Sequence, residues 1–333
     1  MTDLLSPTTV TRRDFLIVGS LAALTCGGSA LAAEFPERPI RLVIPYPPGG
    51  STDIVGRLVA KQTADALKGT VVVDNKGGAA GAIGAAEVAR AAPDGYTLLA
   101  SIVTSAVIMP ITQGKSLAYD PVGSFEPVAM VCKLPNVLII NKDIPARNFR
   151  EFAAWARANP ERANYGTGGT GSVMHLTGEL LKRDGKFNMT HVPYRGAAAA
   201  IQDLMGGNLA AVLDNITGVM GMVRAGSVRA IGVSTEARSA ALPDVPTFAE
   251  QGIPGFANSS WFAVFTRAGT PRDVLARLEK SVLDGCAQPE AIDKLKELGA
   301  IPNPMGARAL GEFWHAEFAY WRQAIAAAGI QLN

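Results

Sequence analysis

The stretch Ile40-Arg41-Leu42-Val43-Ile44-Pro45-Tyr46-Pro47-Pro48-Gly49-Gly50-Ser51-Thr52-Asp53 decides the fold. Its first five residues read as a short strand, which the prolines and the paired glycines end. Ser51, Thr52 or Asp53 is placed to cap the helix that follows, whose apolar stripe is Ile54, Val55, Leu58, Val59, Ala66 and Leu67. Beyond it, Val71-Val72-Val73 is a second strand, Ala79 to Ala91 a small-residue helix, and Tyr96-Thr97-Leu98-Leu99-Ala100 a third strand. Strands alternating with helices argue for an α/β unit with a parallel sheet.

The pattern then recurs. Asn136-Val137-Leu138-Ile139-Ile140 is a strand, Phe149 to Asn159 a helix ended by Pro160, and Asn164-Tyr165 leads into a second glycine loop, Gly166-Thr167-Gly168-Gly169-Thr170-Gly171-Ser172, followed by a helix through Leu181. Short strands at Val192-Pro193-Tyr194, Ala211-Val212-Leu213 and Ala230-Ile231-Gly232-Val233 alternate with helical stretches. Trp261-Phe262-Ala263-Val264-Phe265 reads as a strand returning to the first lobe, and helices from Pro271 to Ala287, Pro289 to Leu298 and Ala307 to Ala328 complete the chain. Two α/β lobes result, each with one glycine loop at a strand-to-helix turn.

The N-terminus carries an export pattern: Thr11-Arg12-Arg13-Asp14-Phe15-Leu16, an apolar run from Phe15 to Leu24, then Ala30-Leu31-Ala32 before a polar change. Paired arginines ahead of a short apolar run and a small-residue cleavage site predict a Tat-type signal peptide over residues 1–33, cut near Ala32-Ala33. The run is about half the roughly 20 residues of a membrane span, so a removable signal is favoured over a retained anchor. Ala-Leu-Thr ahead of Cys26 is a poor context for a lipoprotein. The mature chain, near 300 residues, exceeds what one core usually organises. With 31 Lys plus Arg against 29 Asp plus Glu and no basic run, nucleic acid is excluded as a partner. His175, His191 and His315 are too dispersed for a zinc cluster, and Cys132 and Cys286 lack metal or redox spacing, reading as buried small hydrophobes with a disulfide as the alternative.

In a parallel α/β sheet, ligands bind beyond the carboxyl ends of the strands, where helix N-termini present unpaired amides and partial positive charge. Both glycine loops occupy that position. Gly49-Gly50 and Gly168-Gly169 allow close backbone approach, and Ser51, Thr52, Thr167, Thr170 and Ser172 add hydroxyls, making an anion site without cationic side chains. Gly50 is expected where a side chain would either strain the backbone or block the ligand. The second loop also fits G-x-G-x-x-G, but its preceding strand is weak and His191-Val192-Pro193-Tyr194-Arg195 offers no carboxylate for a ribose, against a dinucleotide. His175, three residues after Ser172, evokes a serine hydrolase, yet there is no Gly-x-Ser-x-Gly elbow and no group to orient the ring; packing near the loop is the other role. Replacing Ser172 is therefore expected to weaken binding and leave the fold unchanged. Arg195 either meets a carboxylate or forms a structural ion pair, and Asp214-Asn215 either accepts a bond from a ligand amine or hydroxyl or caps a turn.

Together, Val43-Ile44-Pro45-Tyr46-Pro47-Pro48-Gly49-Gly50-Ser51-Thr52-Asp53, Asn75-Lys76-Gly77-Gly78-Ala79-Ala80-Gly81, Pro93-Asp94-Gly95-Tyr96-Thr97-Leu98, Gly171-Ser172-Val173-Met174-His175-Leu176, Pro193-Tyr194-Arg195-Gly196 and Leu242-Pro243-Asp244-Val245-Pro246-Thr247 resemble the Bug family, the extracytoplasmic solute receptors of tripartite tricarboxylate transporters. The resemblance implies a two-lobed periplasmic binding protein of the type II-like, Venus-flytrap kind, each lobe a mainly parallel sheet flanked by helices. Lobe I is expected over 34–135 plus 258–333 and lobe II over 136–257, hinged near Leu134-Pro135 and Asn258-Ser259. It further implies a monomeric, non-enzymatic receptor without cofactor or metal. That receptor captures a small carboxylate (a di-, tri- or aromatic carboxylate or an amino acid) and delivers it to membrane permease subunits. Sensing for a membrane signalling partner, or an exported hydrolase using Ser172 and His175, are the alternatives. Carried onto this chain, the family's grip falls on Pro48, Gly49, Gly50, Ser51 and Asp53, facing Gly168, Gly169, Thr170, Gly171, Ser172 and His175. Ser101, Thr104 and Ser105 are further contributors, and Arg195 and Asp214 lie nearer the specificity end. Asp53 is the doubtful one of these, since it would repel an anion and is as well suited to capping its helix.

Overall fold

The computed structural model describes residues 35–253 and 256–328. The export pattern of residues 1–33 lies outside the described residues.

The elements run β1 (Ile40–Ile44), α1 (Ser51–Leu67), β2 (Val71–Asn75), α2 (Ala82–Ala89), β3 (Thr97–Ile102), α3 (Met109–Gln113), β4 (Phe125–Asn141), α4 (Phe149–Ala158), β5 (Asn164–Thr167), α5 (Val173–Gly185), β6 (Thr190–Pro193), α6 (Ala197–Met205), β7 (Ala211–Asn215), α7 (Ile216–Arg224), β8 (Val228–Val233), β9 (Ser259–Arg267), α8 (Arg272–Cys286), α9 (Pro289–Glu297), β10 (Ile301–Gly306) and α10 (Ala307–Ala328). None of the described helices is long and apolar enough to cross a membrane.

One strand organises the rest. β4 is 17 residues long, and its two ends belong to different halves of the sheet. From Phe125 to Pro135 it pairs antiparallel with β9, and over part of that length with β10; from Asn136 to Asn141 it pairs with β7 and β8. Each half keeps a parallel core of three strands, β2-β1-β3 and β7-β5-β6. The fold is thus the expected two-lobed α/β architecture, but its sheets are mixed where mainly parallel sheets were expected. The strands that carry the chain between the halves, β4 and β9, run against their neighbours β3 and β7.

Two strand segments escaped the sequence reading because they contain proline. Pro127 sits where the β4–β9 register shifts, and Pro302 and Pro304 lie in β10, at the edge of the sheet beside another shift. Bulges and edges are where a strand tolerates a residue without an N–H.

The core is aromatic on both sides. Phe265 and Trp314 meet edge to face at 4.9 Å in the first half, as Phe149 and Phe248 do at 5.3 Å in the second. Such fully buried side chains contribute about 1.5–3 kcal/mol each. Cys132 and Cys286 are both buried and unpaired, and burial raises both thiols, Cys286 to about 12. Neither is available as a thiolate nucleophile.

Candidate functional site

The first glycine loop is fixed from below by a buried acid. Gly50, not Ser51, Thr52 or Asp53, occupies the N-cap of α1, and no side chain caps it. Asp53 instead reaches back. Its Oδ2 accepts from the Gly49 N–H at 2.9 Å and from Arg57 Nε at 3.0 Å, and its Oδ1 from Asn75 Nδ2 at 2.9 Å. Asn75 Nδ2 also donates to the carbonyl of Tyr46. Burial opposes the charge on Asp53, but the donors from Arg57, Gly49 and Asn75 together hold its carboxyl below the usual range. Asp53 therefore shapes the loop and does not face the cleft. Gly49 takes φ +84°, a conformation that favours glycine, whereas Gly50 has φ −83° and only the Pro47 carbonyl, at 3.9 Å, near an added Cβ. The strain expected at Gly50 thus belongs to Gly49.

The second loop is fixed by neutral groups. Ser172 caps α5, its Oγ accepting from the His175 N–H at 3.2 Å. The His175 ring turns back under the loop, where Nδ1 accepts from the Gly171 N–H at 3.2 Å and the ring stacks on His191 at 3.9 Å. His191 Nε2 lies 2.7 Å from Thr167 Oγ1. Burial pushes both imidazoles down; with His175 beside it, His191 falls to about 4. The imidazole of His175 makes no hydrogen bond to Ser172 Oγ, so the pair lacks the arrangement that activates a serine.

Between the loops lies a cleft of two connected chambers that share Tyr46, Pro47, Ala80, Gly168 and Gly196. The narrower, about 60 Å³, is lined among others by Gly50, Ser51, Thr104, Gly168, Ser172 and Asp214. That is room for about four waters, or a carboxylate group and its nearest carbons. The wider, about 350 Å³, takes in Gly169, Thr170 and Arg195. Pro48, Gly49, Asp53, Ser101, Ser105, Gly171 and His175 line neither chamber. Pro48 and Gly49 are on the outer surface of their loop, and Ser101 and Ser105 are buried and bonded to each other at 2.9 Å.

The N-termini of α1, α5, α6 and α7 all open on the narrower chamber, whose wall includes Ser51, Val173, Ala197 and Asn215. Gly50, Gly196 and Asn215, the caps of α1, α6 and α7, make no capping side-chain bond. No Lys or Arg lines this chamber. The uncapped starts of α1, α6 and α7, with the dipoles of all four helices, make it an anion-accepting space. Two bonds cross the cleft: Asn215 Nδ2 to Ser51 Oγ, 3.0 Å, and the Val173 N–H to Thr104 Oγ1, 3.2 Å. Asp214 is 4 % exposed, and burial raises its carboxyl to about 7, against a smaller lowering by the Asn215 N–H. No cluster of metal-ligating side chains occurs among the described residues.

Sequence reasoning missed Tyr46, Pro47, Ala80, Gly196 and Ala197 as lining residues; Asn215, named with Asp214 as a ligand acceptor or turn cap, does line the narrower chamber. Tyr46 and Pro47 stood in the decisive stretch itself, and Gly196-Ala197 opens α6 after a strand just as the two glycine loops open their helices, a legible third instance. Ala80, at φ +49°, stood in the Asn75 to Gly81 stretch that carries the family resemblance, but an alanine has no polar group to mark it as a lining residue.

The chain matches the tripartite tricarboxylate transporter family receptor over residues 55–330. It is 34% identical to BugT of Bordetella pertussis over 289 residues, 86% of this chain and 88% of that protein. Among solved structures, the periplasmic binding protein BugD is 34% identical with a TM-score of 0.84, over 89% of this chain and 99% of that one. Rpa4515 of R. palustris with adipate is 32% identical with a TM-score of 0.86, over 89% and 99%. MatC of Rhodopseudomonas palustris with bound malate is 33% identical with a TM-score of 0.82, over 87% and 100%. This chain therefore belongs to the receptor family of the tripartite tricarboxylate transporters.

Proposed function

We propose that the protein is a periplasmic receptor that captures a small carboxylate in the cleft and hands it to membrane permease subunits, with no catalytic step. The observation that carries this reading is the meeting of four helix N-termini on a chamber without a cationic side chain. Adipate and malate in two relatives of this length and fold support the same ligand class. In this reading residues 34–135 plus 258–333 form lobe I and 136–257 lobe II, and the chain bends where β4 changes partners at Pro135-Asn136 and at Asn258-Ser259. Gly50, Ser51, Thr104, Gly168 and Ser172 take one carboxylate, Arg195 takes a group reaching the wider chamber, and residues 1–33 direct export.

A melting screen over di- and tricarboxylates, amino acids and aromatic acids tests it. A ligand at one hundred times Kd stabilises the folded state by about 2.7 kcal/mol, a shift of several degrees. Small-angle scattering is expected to show a more compact particle with that ligand. A screen in which no carboxylate shifts the melting point rejects the reading.

A further inference from the structure

The narrower chamber contains an acid. Asp214 is the penultimate residue of β7, lines the cavity, and buries its Oδ2 with no hydrogen-bond partner. A Cβ on Gly218, in the first turn of α7, would meet that oxygen, and would lie 3.4 Å from the amide nitrogen of Ser51 at the start of α1. A space whose other features attract a carboxylate therefore presents a carboxyl group of its own.

The elements packed around Asp214 bring no compensating charge. β4 sets Asn136 and Val137 beside it, α7 contributes Ile216, Thr217 and Gly218, and α6 begins with Ala197 and Ala198. On α1 the nearby acid, Asp53, is already held by Arg57, Asn75 and the Gly49 N–H. On α5, His175 is committed to the Gly171 N–H. Tyr46, on the same chamber wall, donates to the carbonyl of Ala80, and Arg195 lines only the wider chamber. Two carboxylates that share a site without a cation between them cannot both stay ionised at low cost, so one keeps a proton.

We propose that Asp214 meets the ligand as the neutral acid, its O–H donating to an oxygen of the ligand carboxylate, so that each ligand is captured together with one proton. The inference rests on the carboxylate-receptor reading above and adds a regulation to it. The proton comes from solvent onto the Asp214 carboxylate; no bond of the ligand changes. In the empty chamber burial already favours the acid, and an arriving anion favours it further. The sign follows: affinity is full below about pH 6 and falls about tenfold per pH unit above pH 7, as a proton must be supplied for each capture.

Titration calorimetry of the purified protein with succinate, malate, adipate and citrate, in phosphate and in Tris at pH 6 to 9, reads the proton directly. The expected result is uptake close to one proton at pH 8 and close to none at pH 6, with the matching loss of affinity. Asp214→Asn, whose amide N–H replaces the acid O–H at the same shape, is expected to bind with no uptake and a flat pH profile. Equal enthalpies in the two buffers with a flat wild-type profile overturn the inference, as does uptake that persists in Asp214→Asn. Loss of binding in that variant together with no wild-type uptake assigns Asp214 to an ionised acceptor of a ligand hydroxyl or ammonium, and also overturns it. If none of the four probes binds even at pH 6, the same titrations with the acid that the melting screen gives decide; a screen that gives none fails the carboxylate-receptor reading itself and takes the inference with it.

Discussion

The two glycine loops occupy equivalent turns in the two halves, yet they are anchored by opposite chemistry. Under the first, an ionised Asp53 gathers the Gly49 amide, Arg57 and Asn75. Under the second, the neutral pair His175 and His191, with Thr167 and the Ser172 cap, gathers the Gly171 amide. The second loop is also the more occupied of the two: its Gly169, Ser172 and Val173 amides donate to Thr167 Oγ1, the Gly169 carbonyl and Thr104 Oγ1. Asp53 loses its contribution only as pH falls below the ordinary carboxylate range, whereas the imidazole pair costs stability from about pH 6.5 downward, because the unfolded chain's histidines take up protons that the folded pair resists. The halves should thus differ in acid tolerance although their loops look alike in sequence.

The strongest way to break this comparison is Asp53→Ala. It strands Arg57 and Asn75 and frees the Gly49 N–H, and with hydrogen bonds to a charged group contributing about 1.5–3 kcal/mol it is expected to cost roughly 3 kcal/mol and to abolish ligand binding. Urea unfolding and ligand titration of one preparation measure both. Because the folded carboxyl is held below its usual range, this contribution is present above pH 4 and is lost only as pH falls through the lower folded value.

The second loop sharpens the contrast with pH. Both imidazoles are depressed in the fold, so their neutral forms contribute fully above about pH 6.5 and stability falls as pH drops from there, for His191 down to about 4. A proton on His175 Nδ1 also displaces the Gly171 N–H. Between pH 7 and pH 4.5 the wild type is expected to lose about 1–2 kcal/mol, after allowing for partial exposure. His191→Phe, which keeps a ring in the stack without a titrating nitrogen, should lose less over the same interval. An unchanged pH dependence in that variant would place the acid sensitivity elsewhere.

Ser172→Ala comes next. The sequence reading left the ligand-free fold untouched by this change, but Ser172 Oγ caps α5, so a stability cost of about 1 kcal/mol is expected beside any loss of affinity. Thermal melts without ligand decide between the two expectations. Smallest is the glycine pair. Gly49→Ala forces a Cβ onto φ +84° and should cost about 1 kcal/mol, whereas Gly50→Ala, at φ −83°, should leave stability within about 0.5 kcal/mol.

Much of the architecture was legible because local patterns carry it. The strand, glycine loop and helix at residues 40–67, and its echo from residue 164 to 185, are written in hydrophobic period and turn residues, which neighbours along the chain enforce. The proline-bearing strands Phe125–Pro135 and β10 were not legible, since only a bulge or an edge, set by partner strands, makes proline acceptable there.

The candidate site divides the same way. That the cleft would be built from main-chain donors followed from the glycine loops, but which residues face it did not. Ser101, Ser105, Asp53 and His175 have the chemistry of ligand contacts and are turned inward to partners, while Tyr46, Ala80 and Gly196 reach the cavity from three separate stretches of the chain. The sequence by itself determined two α/β halves and two amide-rich turns, because strand, turn and helix formation are decided within a few residues. Only the tertiary structure decided that the halves share β4, that four helix starts meet at one chamber, and that an uncompensated acid lies among them. Burial and charge compensation depend on residues as far apart as Ser51 and Asn215, which only the folded chain brings to 3.0 Å.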